Sequence, residues 1–137
     1  MIKNIVKDIE FLKKPSTDLE KDEMYVVEDL IHTLKFNSYR CVGMAANMIG
    51  YSKNAIVILQ ENNQVLPMIN PKIISRKNSY KAVEGCLSLD GEREAIRYKE
   101  IRVEYLDTNF NKQVRKFKGF DAQIIQHEVD HLFGIII

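Results

Sequence analysis

The segment QHEVDHL, Gln126–Leu132, contains an HExxH motif and is the feature that most constrains this fold. In an α-helix, His127 and His131 lie on one face, where two imidazoles can hold one metal ion. Glu128, rotated by about 100° around the helix, can act on a water molecule beside that ion. The flanking residues are mostly apolar: Ile124, Ile125, Val129, Leu132 and Phe133. Because buried imidazoles need polar partners, this setting favours a metal site over a chance motif on a solvated helix.

A hydrolytic metal site usually has three protein ligands, and the sequence limits where the third can lie. Gly134 fits the longer pattern HExxHxxGxxH, but Ile137 stands where its third histidine would be. Six residues follow His131 in this sequence, so we expect the third ligand upstream, as a cysteine thiolate or a carboxylate. His32, on a predicted N-terminal helix, is expected to be a surface or core-edge residue.

The chain has two cysteines that could supply this ligand. Cys86 stands in VEGCLSLDG, residues 83–91, where glycines flank a short polar turn and allow close approach of the backbone. A thiolate is a strong ligand for Zn²⁺ or Fe²⁺. Cys41 is the weaker candidate, and both cysteines could instead be small buried hydrophobic residues. Residues 1–14 lack the uninterrupted apolar run of a signal peptide, so we expect reduced thiols in a cytoplasmic protein.

Hydrophobic periodicity predicts an N-terminal amphipathic helix. Residues 15–18, PSTD, favour a helix start, and we expect the helix over residues 18–35. Four apolar residues follow the i, i+3, i+4, i+7 spacing: Val27, Leu30, Ile31 and Leu34. This stripe is expected to pack into the core.

The segment after this helix predicts several strands. Residues 55–59, AIVIL, suit a strand that is covered on both faces. Residues 65–69 and 72–75 are shorter candidates, interrupted by Pro67 and by Asn70-Pro71. Proline cannot donate to the hydrogen-bond ladder, so these interruptions predict an edge strand or a bend.

The last third of the chain predicts a hairpin and then a helix. Residues 101–105 alternate apolar and charged side chains, and a turn-rich segment leads from them to a second strand at 113–117. Asp121, shortly after Gly119, is the predicted N-cap of the C-terminal helix. The order of elements indicates an α+β fold, with antiparallel or mixed sheets packed around that helix.

Length and charge limit the classes of function. With 137 residues and no linker-like stretch, we expect a single domain over residues 1–137. The formal net charge is +1, so we expect no direct binding of nucleic acid and no electrostatic attachment to a membrane. No apolar run approaches the length of a membrane span.

Three stretches together resemble the peptide deformylase family: CVGMAANMIG at 41–50, EGCLS at 84–88 and QHEVDHL at 126–132. The resemblance implies a metalloenzyme that removes the formyl group from the N-terminal formyl-methionine of nascent peptides. By matching positions, it implies that Cys86, His127 and His131 hold the metal and that Glu128 is the general acid and base. The backbone N–H of Leu87 would stabilise the oxyanion. The resemblance also implies Fe²⁺ as the metal in the cell, since the family commonly uses it, with Zn²⁺ or Ni²⁺ often found in the purified protein.

The first motif departs from the family pattern GxGxAAxQ. Met48 replaces the glutamine that donates to the oxyanion, and Cys41 replaces the first glycine. A thioether has no N–H, and loss of one such donor costs on the order of 10²–10³ in rate. Asn47 carries an amide, but adjacent side chains point in different directions, so we do not expect it to replace the glutamine.

Two functions remain open at this point. The first is a deformylase with reduced activity, since the metal ligands and Glu128 are present. The second is a catalytically impaired homologue that keeps a metal-containing pocket and binds N-terminal peptides. A metallopeptidase is disfavoured because this sequence lacks the downstream ligands. Five residues are expected to bind substrate: Gly43, Met44, Met48, Gly85 and Arg97, the last touching the peptide or lying solvated at the surface.

Overall fold

The computed structural model describes residues 1–135, and within them five antiparallel strands form one sheet in chain order. The strands are β1 Gly43–Ala45, β2 Ala55–Leu59, β3 Val65–Cys86, β4 Leu89–Leu106 and β5 Lys112–Lys118. The helices are α1 Ile9–Leu12, α2 Tyr25–Phe36 and α3 Gly119–Leu132. Short 3₁₀ helices span Lys21–Glu23 and Ala46–Ile49. The predicted α+β class, with a sheet packed against a C-terminal helix, is confirmed.

The N-terminal helix begins later than the sequence predicts. Glu20 donates its backbone N–H to the Glu23 carboxylate at 2.8 Å, which closes a separate 3₁₀ turn before α2 starts at Tyr25. The predicted start at residue 18 is therefore wrong. The predicted stripe is confirmed: three of its residues are buried and Ile31 is half-buried.

The predicted cap of the C-terminal helix is also wrong. Helix α3 begins at Gly119, and Lys118 occupies the N-cap position without a capping hydrogen bond from its side chain. The Asp121 carboxylate instead accepts the backbone N–H of Glu61 at 3.0 Å. The side chain that looked like a local cap thus ties α3 to the turn between β2 and β3.

The region predicted as two short strands is part of one long strand, β3. Pro67 pairs with Val57 of β2, and pairing with β4 begins only at Ile69, so Pro67 lies where β3 is locally an edge. Asn70 has a positive φ of 49° at a shift in register, which agrees with the predicted bend.

The β3–β4 hairpin extends much further than its sequence indicates. Pairing runs from Ile69 opposite Leu106 to Cys86 opposite Leu89. Most residues from 76 to 100 are exposed or half-buried, so this part of the hairpin lacks the apolar alternation that marks a strand. The hairpin carries Cys86 to its turn, close to α3.

The core lies between the sheet and helices α2 and α3. Helix α3 contacts all five strands, while α2 contacts β1, β2 and β3. The largest fully buried side chains of the sheet and α3 are Met44, Ile56, Ile58, Met68, Ile69, Ile101 and Ile125. This packing holds the inner face of α3 in place. Among residues 1–135, no helix has both the length and the apolar character needed to cross a bilayer.

We expect Ile56→Ala to lower the free energy of unfolding by about 2–5 kcal/mol, because it leaves a cavity in the core. Ile56 is 1% exposed. The matched change Ile74→Ala, at a residue 52% exposed on β3, should alter that free energy by less than about 0.5 kcal/mol. Urea unfolding followed by circular dichroism measures both. Equal losses would contradict this placement of the core.

Candidate metal centre

Two histidines of α3 converge on one point. His127 and His131 lie one helical turn apart, and their Nε2 atoms are 3.1 Å from each other. Both rings are buried, His131 completely. Burial, together with the neighbouring His127 ring, lowers the pKa of His131 to about 3, so this imidazole is neutral at physiological pH. A neutral imidazole is the form that binds a metal.

Cys86 completes a group of three donors. It is the last residue of β3, and its Sγ accepts the backbone N–H of Ser88 at 3.4 Å across the hairpin turn. The donor atoms of Cys86, His127 and His131 all lie within 4.8 Å of one another. Ligand atoms about 2.0–2.3 Å from one ion are at most about 4.6 Å apart, so small shifts would let all three bind it. The expected ligand set is brought together, and it fits a divalent metal.

Glu84 orients the first histidine. Its Oε1 is 2.8 Å from His127 Nδ1, and it also accepts hydrogen bonds from Arg97 and Gln123. Burial raises the pKa of Glu84, but the hydrogen bonds from His127, Arg97 and Gln123 outweigh it and lower the pKa to about 2. An ionised carboxylate at Nδ1 holds a proton there, so Nε2 is the nitrogen that would bind a metal after losing its own proton.

The groups around His127 stabilise positive charge at its imidazole ring. Burial lowers the pKa of His127, but hydrogen bonds with Cys86 and Glu84 outweigh it and raise the pKa to about 10. Positive charge is thus stabilised between the imidazole and the thiol. A bound metal ion would supply that charge at the position where the two Nε2 atoms meet.

The sequence interpretation missed Glu84, although the sequence holds a signal for it. Glu84 stands two residues before Cys86 on one strand, a spacing that in a regular strand places both side chains on the same face of the sheet. A carboxylate on the ligand face is a good candidate to hydrogen-bond a ligating histidine. The EGCLS motif therefore contributes both a ligand and the group that orients another ligand.

The expectation that Arg97 touches the peptide or solvent is wrong for this structure. Arg97 is 3% exposed and does not line the cavity beside the metal centre. It donates to Glu84 at 2.7 Å from Nη2 and to Asp130 at 2.7 Å from Nη1. Since Glu84 is on β3 and Asp130 is on α3, the guanidinium links the hairpin to the metal-binding helix.

Glu128 is a buried carboxyl with free hydrogen-bonding capacity. It is 5% exposed, and within residues 1–135 its Oε1 atom has no hydrogen-bond partner. Burial raises its pKa to about 7, against the opposing effect of His127. Gly43 lies beside it: a Cβ there would be 3.0 Å from Glu128 Oε2 and 2.5 Å from Ile124 Cγ2. Glycine at this position lets β1 approach the carboxyl closely.

A cavity of about 400 Å³ opens beside these groups. Of the residues expected to bind substrate, Gly43, Met48 and Gly85 line it, as does Leu87. Met44 does not: it is fully buried in the core, which corrects its expected place in the cleft.

The first motif provides no amide donor to replace the missing glutamine. The Met48 Sδ accepts the backbone N–H of Ala45 at 3.4 Å and has no hydrogen to donate. Asn47 donates its Nδ2 to the carbonyl oxygen of His131 at 2.8 Å. Asn47 therefore supports the end of α3, and the expectation that it does not take over the role of the glutamine agrees with this contact.

Cys41 lines the cavity but is not part of the three-donor group. Its thiol donates to the carbonyl oxygen of Gly43 at 2.8 Å. Burial, with a further contribution from Glu128, raises the pKa of Cys41 to about 12. The side chain is therefore held as a neutral thiol, a poor metal ligand.

We expect Cys86→Ala to lose most of the bound metal, because the thiolate is one of the three donors that residues 1–135 bring together to hold it. Cys41→Ala is the matched control and should bind as much metal as the wild type. Loading with Zn²⁺, removal of free metal and elemental analysis give the metal content per chain. A Cys86→Ala protein with full metal content would exclude Cys86 as a ligand.

We expect Arg97→Ala to lower the free energy of unfolding of the metal-free protein by about 3–5 kcal/mol, since it leaves buried Glu84 without its cation. Arg102→Ala, an exposed arginine on the same strand, should change it by less than about 0.5 kcal/mol. Urea unfolding measures both. Similar losses in the two variants would show that the buried ion pairs contribute no special stability.

Comparison with known proteins agrees with this geometry. The family model described as polypeptide deformylase matches residues 2–137. A peptide deformylase of Clostridium beijerinckii is 53% identical over 137 residues, covering all of both chains. The crystal structure of a peptide deformylase from Ehrlichia chaffeensis superposes with a TM-score of 0.88 at 30% identity, covering 99% of this chain and 86% of that one.

A second solved structure carries a peptide. It is a class I type b peptide deformylase from Acinetobacter baumannii, described as bound to Met-Ala-Ser, with a TM-score of 0.89 at 26% identity. The match covers 99% of this chain and 97% of that one. The family model matches almost the whole chain, a full-length relative is 53% identical, and the three metal donors lie together. This chain therefore belongs to the polypeptide deformylase family.

Proposed function

We propose that this protein hydrolyses the N-formyl group of formyl-methionyl peptides on nascent proteins. The observation that carries the proposal is the buried Glu128 carboxyl beside the group of Cys86, His127 and His131, with an Oε1 atom that accepts no hydrogen bond from residues 1–135. Membership of the deformylase family makes this hydrolysis the first reaction to test for such a site. The Met-Ala-Ser in the Acinetobacter baumannii structure is the peptide that deformylation of formyl-Met-Ala-Ser would leave.

The metal would be held by Cys86, His127 and His131. A divalent ion at such a site supplies Lewis acidity, which lowers the pKa of water and polarises a carbonyl oxygen. We propose Fe²⁺ in the cell, with Zn²⁺ or Ni²⁺ as substitutes in purified protein. The thiolate and the two imidazoles suit all three ions.

Glu128 moves the proton in this proposal. Its carboxylate accepts a proton from the attacking water and returns it to the leaving amine when the C–N bond breaks. The raised pKa of Glu128 suits both transfers, because such a group can exist in either protonation state near neutral pH. Ionised Glu84 keeps the ring of His127 in the ligating orientation throughout.

The cavity beside Glu128 binds the peptide. Its apolar lining residues suit a methionine side chain: Val42, Leu87, Phe120 and Ile124. Gly43 and Gly85 leave the backbone accessible there for hydrogen bonds to an extended peptide. The backbone N–H of Leu87, next to Cys86, donates to the oxygen of the formyl group as charge develops. We place this reaction in the cytoplasm, on peptides that emerge during synthesis.

Met48 is the reason that we expect a low rate of deformylation. It lines the cavity where the family pattern places a glutamine, and its thioether cannot donate to the oxyanion. The proposed activity is therefore real but reduced. The same observation favours a second candidate, a metal-containing protein that binds N-terminal peptides with little or no turnover.

We expect Met48→Gln to raise kcat/KM for formyl-Met-Ala-Ser by roughly ten- to a thousandfold, because it restores an oxyanion donor. Met48→Leu is the matched control, since it keeps an apolar side chain of similar size and supplies no donor. Release of formate by metal-loaded protein measures all three. If neither the wild type nor Met48→Gln releases formate, the enzyme proposal is lost and the binding protein becomes the better reading.

A further inference from the structure

Arg40 places a cation on the wall of the cavity that holds the metal centre. It lines this space together with Cys86 and Glu128. Across the described part of the chain, the lining includes no other arginine and no lysine. The charged groups His127, Glu84 and Glu128 also line this cavity, at its metal-centre end. An arginine on an otherwise largely apolar wall is a feature from which selectivity for ligand charge can arise.

Contacts with neighbouring residues hold this guanidinium in place. Its Nε and Nη2 atoms donate to Asn37 Oδ1 at 3.3 and 3.0 Å. Asn37 is 3% exposed, and its Nδ2 donates to the carbonyl oxygen of Thr33 at 2.8 Å, so Oδ1 is left facing Arg40. The guanidinium carbon also lies 5.5 Å from the centre of the Tyr39 ring.

Arg40 has spare donors and an unneutralised charge. One amide oxygen occupies Nε and one N–H of Nη2, which leaves Nη1 and the second N–H of Nη2. The ion pairs formed by residues 1–135 include none with Arg40. Arg97 differs in both respects, since two carboxylates engage it. Of the two arginines, Arg40 is therefore the one available to a ligand.

The position of Arg40 sets which part of a peptide it can reach. Gly43, the first residue of β1, lies against Glu128 at the reacting end of the cavity. Arg40 is three residues earlier, so at most about 10 Å of extended backbone separates the two. An extended peptide covers about 3.3 Å per residue, so one bound from the reacting end passes the guanidinium within about its first three residues. The first of these is the formyl-methionine, which leaves the second and third as the residues whose side chains can vary.

We infer that Arg40 makes this site selective for peptides with a carboxylate side chain at the second or third residue. The inference rests on the proposed function, in which a formyl-methionyl peptide occupies the cavity. The planar guanidinium can pair with an aspartate or glutamate through its free N–H groups. A terminal carboxylate of a short peptide has the same chemistry, but a nascent chain has none at that position.

Peptides with amidated C-termini separate these two sources of carboxylate. We expect kcat/KM for formyl-Met-Ala-Asp-amide or formyl-Met-Asp-Ser-amide to exceed that for formyl-Met-Ala-Ser-amide by about three- to tenfold, since the pair is partly solvated. The preference should shrink between about 0.05 M and about 0.5 M salt, because salt screens the interaction. If only a free terminal carboxylate raises kcat/KM, the side-chain selectivity is wrong.

Variants of the arginine test its role directly. Arg40→Gln should bring the ratio of acidic to neutral peptide close to one, and Arg40→Glu should reverse it in favour of formyl-Met-Ala-Lys-amide. Arg102→Gln, an exposed arginine outside the cavity, should keep the wild-type ratio. An unchanged ratio in both Arg40 variants would overturn the inference, whatever the rate of the reaction.

Equilibrium binding separates this inference from the proposed function. Calorimetry with Met-Ala-Asp-amide and Met-Ala-Ser-amide needs no turnover, and the acidic peptide should bind about three- to tenfold more tightly to the wild type. Loss of formate release with this binding preference intact would remove the proposed enzyme and keep the role of Arg40. Equal binding of the two peptides would overturn that role even if deformylation occurs.

Discussion

The Glu84 carboxylate is the interaction on which the metal centre depends. It lies on β3, accepts hydrogen bonds from Arg97 on β4, and meets His127 and Gln123 on α3. Arg97 extends the network to Asp130 of the same helix. Buried charges are tolerable only when they are paired and hydrogen-bonded, so these groups remain buried because each satisfies another. The network holds the hairpin against α3, and this brings Cys86 to the two histidines.

Two buried carboxyl groups that line the same cavity, Glu84 and Glu128, are kept in different protonation states. Glu84 is surrounded by donors, which hold its pKa far below the usual range, while burial dominates for Glu128 and raises its pKa to about 7. Glu84 therefore acts as a permanent anion that orients a ligand. In the described part of the chain, Glu128 Oε1 has no hydrogen-bond partner, and the intermediate pKa of this carboxyl suits proton transfer. Glu84 and Glu128 therefore differ in pKa because hydrogen-bond donors surround the first carboxyl and not the second.

The residues of the metal centre match the family pattern, but the first motif, which lines the cavity, departs from it. The ligand group and its supporting carboxylate are complete, whereas Met48 supplies sulfur where an amide donor is expected. Asn47 is engaged by the end of α3 and Cys41 by the carbonyl oxygen of Gly43. The groups that would hold a metal and transfer a proton are therefore present, whereas the side-chain donor for an oxyanion is missing at position 48.

By itself, the sequence determined the fold class and the pair of histidines, because both depend on residue type or on spacing within one element. The four-residue separation of His127 and His131 on a helix is such a case. Cys86 as the third ligand and the missing oxyanion donor at Met48 came from the resemblance of the motifs to the family pattern. The local cap at Asp121 and the peptide-binding role of Arg97 were wrong, since both side chains found partners distant in sequence. Only the tertiary structure decided that Glu84 orients His127 and that Arg40 faces the cavity. Those roles depend on which strands and helices meet, and local patterns carry little information about pairings between segments far apart in the chain.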